Sequence, residues 1–250
     1  MEERSDFIEE DKKRIFLIDN YPLGFPTDRI SRIESIVNES LANVEIKTIH
    51  FSKLDLRDLE DSIGIILSGS SLNVSDFYYN DKLIKYFDQE IELIRSFNNI
   101  PILGICFGFH IIAYAFDGQV CRMRIPGLLG GRIIFILMKK TDDLITKKNI
   151  PVDVFHRDFI SPNDSKIQNT FEINSITRIK RYKLIQYIRH RNKTVFGLQF
   201  HPETHEAYHF RSSIYDERII AKMRETGEEI LNNFVWLCLY KQNSKNLKKE

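Results

Sequence analysis

Cysteine is scarce in this sequence: Cys106, Cys121 and Cys238 are the only three in 250 residues. None forms a CxxC metal pair and widely spaced thiols build no disulfide framework, which excludes the small secreted disulfide scaffolds. Long apolar runs are also missing. The longest uncharged apolar stretch, 101–116, falls short of the roughly 20 residues that cross a bilayer and contains Gly104, Gly108 and His110. The opening MEERSDFIEEDKKR is charged throughout and cannot act as a secretory signal. Charge of one sign is lacking: Lys plus Arg number 36 and Asp plus Glu 35, a balance of +1, so no global field favours nucleic acid or an anionic membrane. No repeat, low-complexity tract or Gly/Ser/Pro linker divides the chain. What remains is ordinary globular composition, 42% hydrophobic and 28% charged, in a chain long enough to bury a sizeable core without metal or disulfide staples. The expectation is a cytoplasmic, soluble protein with reduced thiols and no cofactor.

Short apolar runs alternate with amphipathic stretches, the pattern of βαβ units around a largely parallel sheet. Segment 14–18 reads as a buried strand ending in the polar turn Asp19-Asn20-Tyr21. Residues 27–42 repeat Ile30, Ile33, Ile36, Val37 and Leu41 at helical spacing, with Thr27 and Asp28 as candidate caps. Strands follow at 44–51 and 63–67, a helix at 81–97, and a fourth strand at 101–105 that runs straight into another helix. The second half differs. Segments 132–138, 152–155, 171–176, 183–189 and 194–200 read as short strands in hairpins that pack against or continue the sheet, and a helix over about 215–240 closes the fold. The predicted organisation is a charged extension over 1–13, one domain over 14–240 and a basic flexible tail over 241–250.

The segment richest in chemistry is Gly104-Ile105-Cys106-Phe107-Gly108. Glycines two before and two after a nucleophile permit a sharp strand-to-helix turn, since no Cβ obstructs the close backbone approach. At a helix N-terminus the thiol feels the positive end of the helix dipole, which favours thiolate. The Phe107 amide would face a developing oxyanion. Taken alone, the segment fits a buried structural cysteine equally well. A nucleophile also needs a base, and the apolar run 195–200 delivers His201-Pro202-Glu203. On an extended backbone His201 and Glu203 share a side, so the carboxylate orients the imidazole, and Pro202 ends the strand ladder.

Together these segments resemble the class I (triad) glutamine amidotransferases, whose nucleophile lies in Gly-x-Cys-x-Gly and whose base and its partner lie in Phe-His-Pro-Glu, here Phe200 to Glu203. Segment 15–21 looks like that family's opening strand, and 65–70 like its oxyanion-loop strand. Phe155-His156-Arg157-Asp158 loosely matches its Ser-His-Gly-Asp, and 230–234 looks like its closing helix. The resemblance implies a flavodoxin-like α/β fold, mostly parallel, flanked by helices, with added antiparallel strands in the second half. It implies Cys106 as nucleophile, His201 as proton relay and Glu203 as its orienting partner. It further implies an oxyanion hole from the Gly69-Ser70 loop and Phe107, and substrate contacts from Gly108, His110 and His156. The implied reaction hydrolyses the side-chain amide of glutamine, or a γ-glutamyl amide, through a thioester. The ammonia would pass to a separate synthetase subunit.

The chain departs from the pattern in two places. His110 and Phe109 stand where the family has Gln and His, and Gly69-Ser70-Ser71 stands where it has Gly-Gly-Pro. A stand-alone γ-glutamyl hydrolase and a non-catalytic module with the same fold therefore stay open. A rival motif, His205-Glu206-Ala207-Tyr208-His209, matches the H-E-x-x-H of zinc hydrolases, but it lies just after Pro202 without a third-ligand signature, and a solvated insertion is expected there. The basic stretch 178–193 alternates with Ile179, Leu184, Ile185 and Ile188, as a hairpin with one wet face does.

Overall fold

The computed structural model describes residues 12–97, 99–124, 132–205 and 216–246. The first half lays down β1 (Lys13–Asp19), α1 (Arg29–Ser40), β2 (Val44–His50), β3 (Ser62–Leu67), α2 (Asp81–Lys85), α3 (Asp88–Ser96), β4 (Ile102–Ile105) and α4 (Phe107–Ala115). The second half adds β5 (Val120–Arg122), β6 (Arg132–Leu137), β7 (Asn149–Val154), β8 (Asp158–Ile160), α5 (Ser165–Thr170), β9 (Phe171–Ile179), β10 (Tyr182–His190), β11 (Val195–Leu198) and α6 (Glu217–Asn246). Seven strands form one sheet in the order β2-β1-β3-β4-β11-β10-β9. The first five pair in parallel; β10 and β9 extend the sheet antiparallel. Two small antiparallel pairs, β5–β8 and β6–β7, stand apart.

Burial explains the strand sequences. β3, β4 and β11 are buried at every residue, as central parallel strands covered on both faces must be, and so read as continuous apolar runs. One side of the sheet packs Ile33, Ile36 and Val37 of α1 and Leu231, Phe234 and Cys238 of α6. The other packs Leu93 and Ile94 of α3 and Phe107, Ile111 and Ile112 of α4. Among the described residues no helix is long and apolar enough to cross a membrane.

Several expectations are modified. The helix expected over 81–97 is two helices, because the chain turns between Tyr86 and Asp88 to drive Phe87 inward, where it stacks on Phe51 with centroids 4.4 Å apart. The strand expected to reach 200 stops at Leu198. The hairpin β9–β10 forms, but without a continuous wet face: 184–188 are all buried, and the exposed positions, 178, 180, 181 and 183, gather near the tip. β1 begins at Lys13, and α6 runs on through Asn246, so a helix occupies part of the expected tail.

Candidate active site

Cys106 sits where β4 meets α4, at φ 51° and ψ −95°. A positive φ on a residue with a Cβ is strained backbone, of the kind held in place at functional turns. Its surroundings hold it there: the Cys106 amide donates to Leu198 O at 2.7 Å, and the His110 amide donates to Cys106 O at 3.1 Å. Gly108 makes the turn possible. A Cβ there would lie 2.3 Å from Leu67 O, and the Gly108 amide donates to Ser68 O at 3.1 Å. Gly108 therefore serves first to let α4 press on the end of β3, and its own N–H is committed there.

His201 and Glu203 lie just past β11, on a turn and not on extended backbone. They still meet: His201 Nδ1 is 2.7 Å from Glu203 Oε1. With Nδ1 engaged, Nε2 is the nitrogen left to face Cys106, whose thiol itself donates to Phe155 O at 3.8 Å. Burial and the Arg29 charge push the His201 imidazolium down, but Glu203 and Cys106 more than offset them and carry it up to about 9. Burial alone would raise the Glu203 carboxyl; the His201 charge and hydrogen bond, with Arg29, outweigh it and hold the group at about 2. An imidazolium in this place stabilises negative charge developing on Sγ.

Arg29, which no sequence motif singles out, completes the cluster. Its Nη1 donates to Glu203 Oε1 at 3.0 Å and to Thr204 Oγ1 at 2.8 Å, and its Nη2 lies 3.5 Å from Asp153 Oδ2. The Thr204 hydroxyl donates to the same Asp153 oxygen at 2.8 Å, and the His201 amide donates to Asp153 O at 3.0 Å. All five residues are buried. A signal existed: Arg29, Ile33 and Ile36 follow i, i+4, i+7 spacing, which puts a charge on the buried face of α1.

Two cavities flank Cys106 and His201. The first, about 380 Å³, is lined by Cys106, Phe107, His110, His156 and Ser70 among others. The second, about 430 Å³, is lined by His201, Tyr21, Thr27 and Arg29, and the two share Phe25, Ser70, Ser71 and Phe155. In the first, the His156 Nδ1 donates to Asp158 O at 2.8 Å, so its Nε2, which has no partner, carries a bare lone pair. Burial, with help from His110, pushes His156 down to about 3 and keeps it neutral. His110 is also pushed down by burial, and its Nε2 donates to Gln199 Oε1 at 2.9 Å, so this side chain is half committed to the core. Asp158 accepts from the Ser75 amide and hydroxyl, both at 2.8 Å, and from Arg122 at 3.2 Å, and so clamps the wall.

The loop Ser68–Ser71 is fixed from behind. The Asn20 amide donates to Ser68 Oγ at 2.9 Å, and Ser70 Oγ donates to Asn20 O at 2.6 Å. Asn20 Nδ2 reaches Ser68 O at 3.3 Å and Glu90 Oε1 at 3.1 Å. A Cβ on Gly69 would lie 2.9 Å from His201 Cε1, so the loop backbone packs directly on the imidazole. Ser70 and Phe107 border Cys106 in one cavity, whereas Gly69 is set against the ring.

Of the H-E-x-x-H motif only His205 is described; 206–209 lie outside the described residues. His205 Nδ1 accepts from Arg32 Nη2 at 2.7 Å. Among the described residues no group of three or more His, Cys, Asp and Glu is placed to hold a metal. Cys238 is fully buried and Cys121 lies on β5, both away from these cavities.

Known proteins share both the sequence and the fold. The chain is 29% identical over 187 residues to a glutamine-hydrolysing GMP synthase subunit of Methanocaldococcus jannaschii, covering 71% of this chain and 75% of that one. It is 27% identical over 147 residues to the carbamoyl phosphate synthase small chain of the same organism, covering 54% of this chain and 36% of the other. A crystal structure of a glutamine amidotransferase from Thermotoga maritima shares the fold, with TM-score 0.62 and 19% identity over 91% of this chain and 96% of that one. The profile of the family "Glutamine amidotransferase class-I" matches residues 29–220, from the buried arginine of α1 to the start of α6. The chain belongs to the class-I glutamine amidotransferase family.

Proposed function

We propose that this chain hydrolyses the side-chain amide of glutamine with Cys106, His201 and Glu203 as its triad and delivers the ammonia to a separate synthetase subunit. The observation that carries the reading is the pairing of a strained Cys106 at a strand–helix turn with a buried His201–Glu203 hydrogen bond of 2.7 Å. Cys106 Sγ attacks the amide carbon, and the oxyanion is met by the amides of Phe107 and the Ser70 loop. As the tetrahedral adduct collapses, the C–N bond breaks and His201 gives its proton to the departing ammonia. Water, deprotonated by the now neutral His201, then attacks the γ-glutamyl thioester and releases glutamate and the thiol. His156 lines the first cavity, so its neutral ring borders the space proposed for the substrate. The two M. jannaschii relatives, one of them glutamine-hydrolysing and the other a synthase small chain, support the transfer to a partner. A second reading, hydrolysis of γ-glutamyl amides without a partner, is favoured by His110, which stands in the Gln position and is tied to Gln199.

Ammonia and glutamate release from glutamine, with and without a co-purified synthetase, test the proposal, alongside labelling by a glutamine-mimicking electrophile. Release that vanishes in Cys106→Ala, with label on Cys106, supports it. Absence of release under every condition, with Cys106 unlabelled, refutes it. Faster turnover of γ-glutamyl peptides than of glutamine selects the second reading.

A further inference from the structure

Glu203 uses a single oxygen for two cations. Oε1 accepts from His201 Nδ1 at 2.7 Å and from Arg29 Nη1 at 3.0 Å, while Oε2 is buried without a side-chain partner. Two donors on one carboxylate oxygen compete for the same charge, so whatever Arg29 draws is lost to the imidazole. The guanidinium is itself held by Thr204 and Asp153, and Asp153 O fixes the His201 amide, so the competition has a set geometry. Without Arg29, a carboxylate only 1% exposed at its side chain would face the imidazolium alone.

We propose that Arg29 is a positioning residue that tempers Glu203 through their shared oxygen, so that His201 can release its proton to the leaving group instead of keeping it. The proposal rests on the triad reading above. It concerns how strongly His201 holds its proton, a property that catalysis needs poised and that a buried Glu–His pair by itself sets too high. The Arg29 charge indeed opposes protonation of His201. The other groups facing His201 are Cys106 at the elbow, His110 on α4, His156 before β8 and Asp153 on β7, with Tyr21 after β1 facing Arg29, Glu203 and Cys106. None of them shares Oε1.

The test reads His201 directly. In Cys106→Ala protein, the imidazole ¹⁵N shifts of His201 are followed against pH for Arg29, Arg29→Gln, Arg29→Met and Arg29→Lys. The neutral variants are expected to move the titration midpoint up by roughly one pH unit, as loss of a nearby buried charge does, and Arg29→Lys to leave it within a few tenths. In the protein with Cys106 intact, kcat for glutamine falls roughly three- to tenfold in the neutral variants with KM unchanged, and the alkaline limb of the rate moves up with the midpoint. A folded neutral variant with an unmoved midpoint overturns the proposal. Should both neutral variants fail to fold, Arg29→Lys decides, and a midpoint moved by a full unit or more overturns it. Because the titration needs no substrate, it gives its answer even if glutamine is not hydrolysed.

Discussion

The two halves of the site are held by opposite means. Cys106 is placed by backbone and apolar packing: a strained φ, a glycine pressed on Leu67 O, and buried phenylalanines and isoleucines on α4. His201 is placed by charge: Glu203, Arg29 and Asp153 are buried together and joined by hydrogen bonds of 2.7 to 3.5 Å. The first arrangement tolerates almost no added volume and is indifferent to salt and pH. The second fails when one charge is removed, since the partners are then left buried and unpaired. The proposed roles match: a nucleophile at Cys106 would need a fixed position, and a proton relay at His201 a fixed proton affinity.

Substitutions can break this contrast, beginning with the largest effect. Cys106→Ala is expected to lower glutamine hydrolysis by roughly 10⁴-fold or more while the melting temperature changes little, since the turn is held by its neighbours and not by the thiol; residual ammonia release above a few per cent would place the nucleophile elsewhere. Glu203→Gln keeps the shape and removes the charge, and kcat is expected to fall about 10³-fold, a loss read in the same assay. It should also destabilise the fold by about 3 kcal/mol in urea titration, because Arg29 loses its anion. Gly108→Ala acts on the other half. Its Cβ would sit 2.3 Å from Leu67 O, and a loss of about 3 kcal/mol of stability, insensitive to salt, is expected in the same titration.

The smallest effect isolates Glu90, which is buried behind the Ser68 loop with Asn20 Nδ2 as its hydrogen-bond partner. Burial pushes its carboxyl up from 4.5 to about 8, against the opposing Asn20 hydrogen bond. Between those values the folded protein holds a proton that the unfolded chain has lost, so this group's contribution to stability falls as pH rises through that window and is flat below it. Glu90→Gln is therefore expected to gain stability over the parent between pH 5 and 8, by at most about 3 kcal/mol at neutral pH, with no difference near pH 4. Melting curves of both proteins across that range measure it. An identical pH dependence in the two would remove Glu90 as an ionising group.

The contrast also explains what could be read in the sequence. Positions fixed by packing leave a local pattern: β3, β4 and β11 are continuous apolar runs because both their faces are covered, and the elbow shows as two glycines around Cys106. Positions fixed by long-range charge leave little. Asp153, Glu203 and Arg29 are far apart in the chain, and only the α1 spacing hints that Arg29 is buried. Asn20 and Glu90, 70 residues apart, give no local sign of meeting behind the loop. Short elements were equally hidden. β5 and β8 have three residues each, too few for a period to show, and the break before α3 depends on Phe87 finding Phe51. His110 was readable as a departure, but its bond to Gln199 was not, because that pairing requires α4 to lie beside the end of β11.

The wall of Phe25, Ser70, Ser71 and Phe155 between the two cavities has a consequence for traffic. Cys106 lines one of these cavities and His201 the other. Under the proposed mechanism, an acyl group on Cys106 would occupy the first cavity, and a nitrogen protonated by His201 would leave toward the second. His110 lines the first cavity and not the second, so a substitution there would alter the acyl side of the site and leave the lining beside His201 untouched.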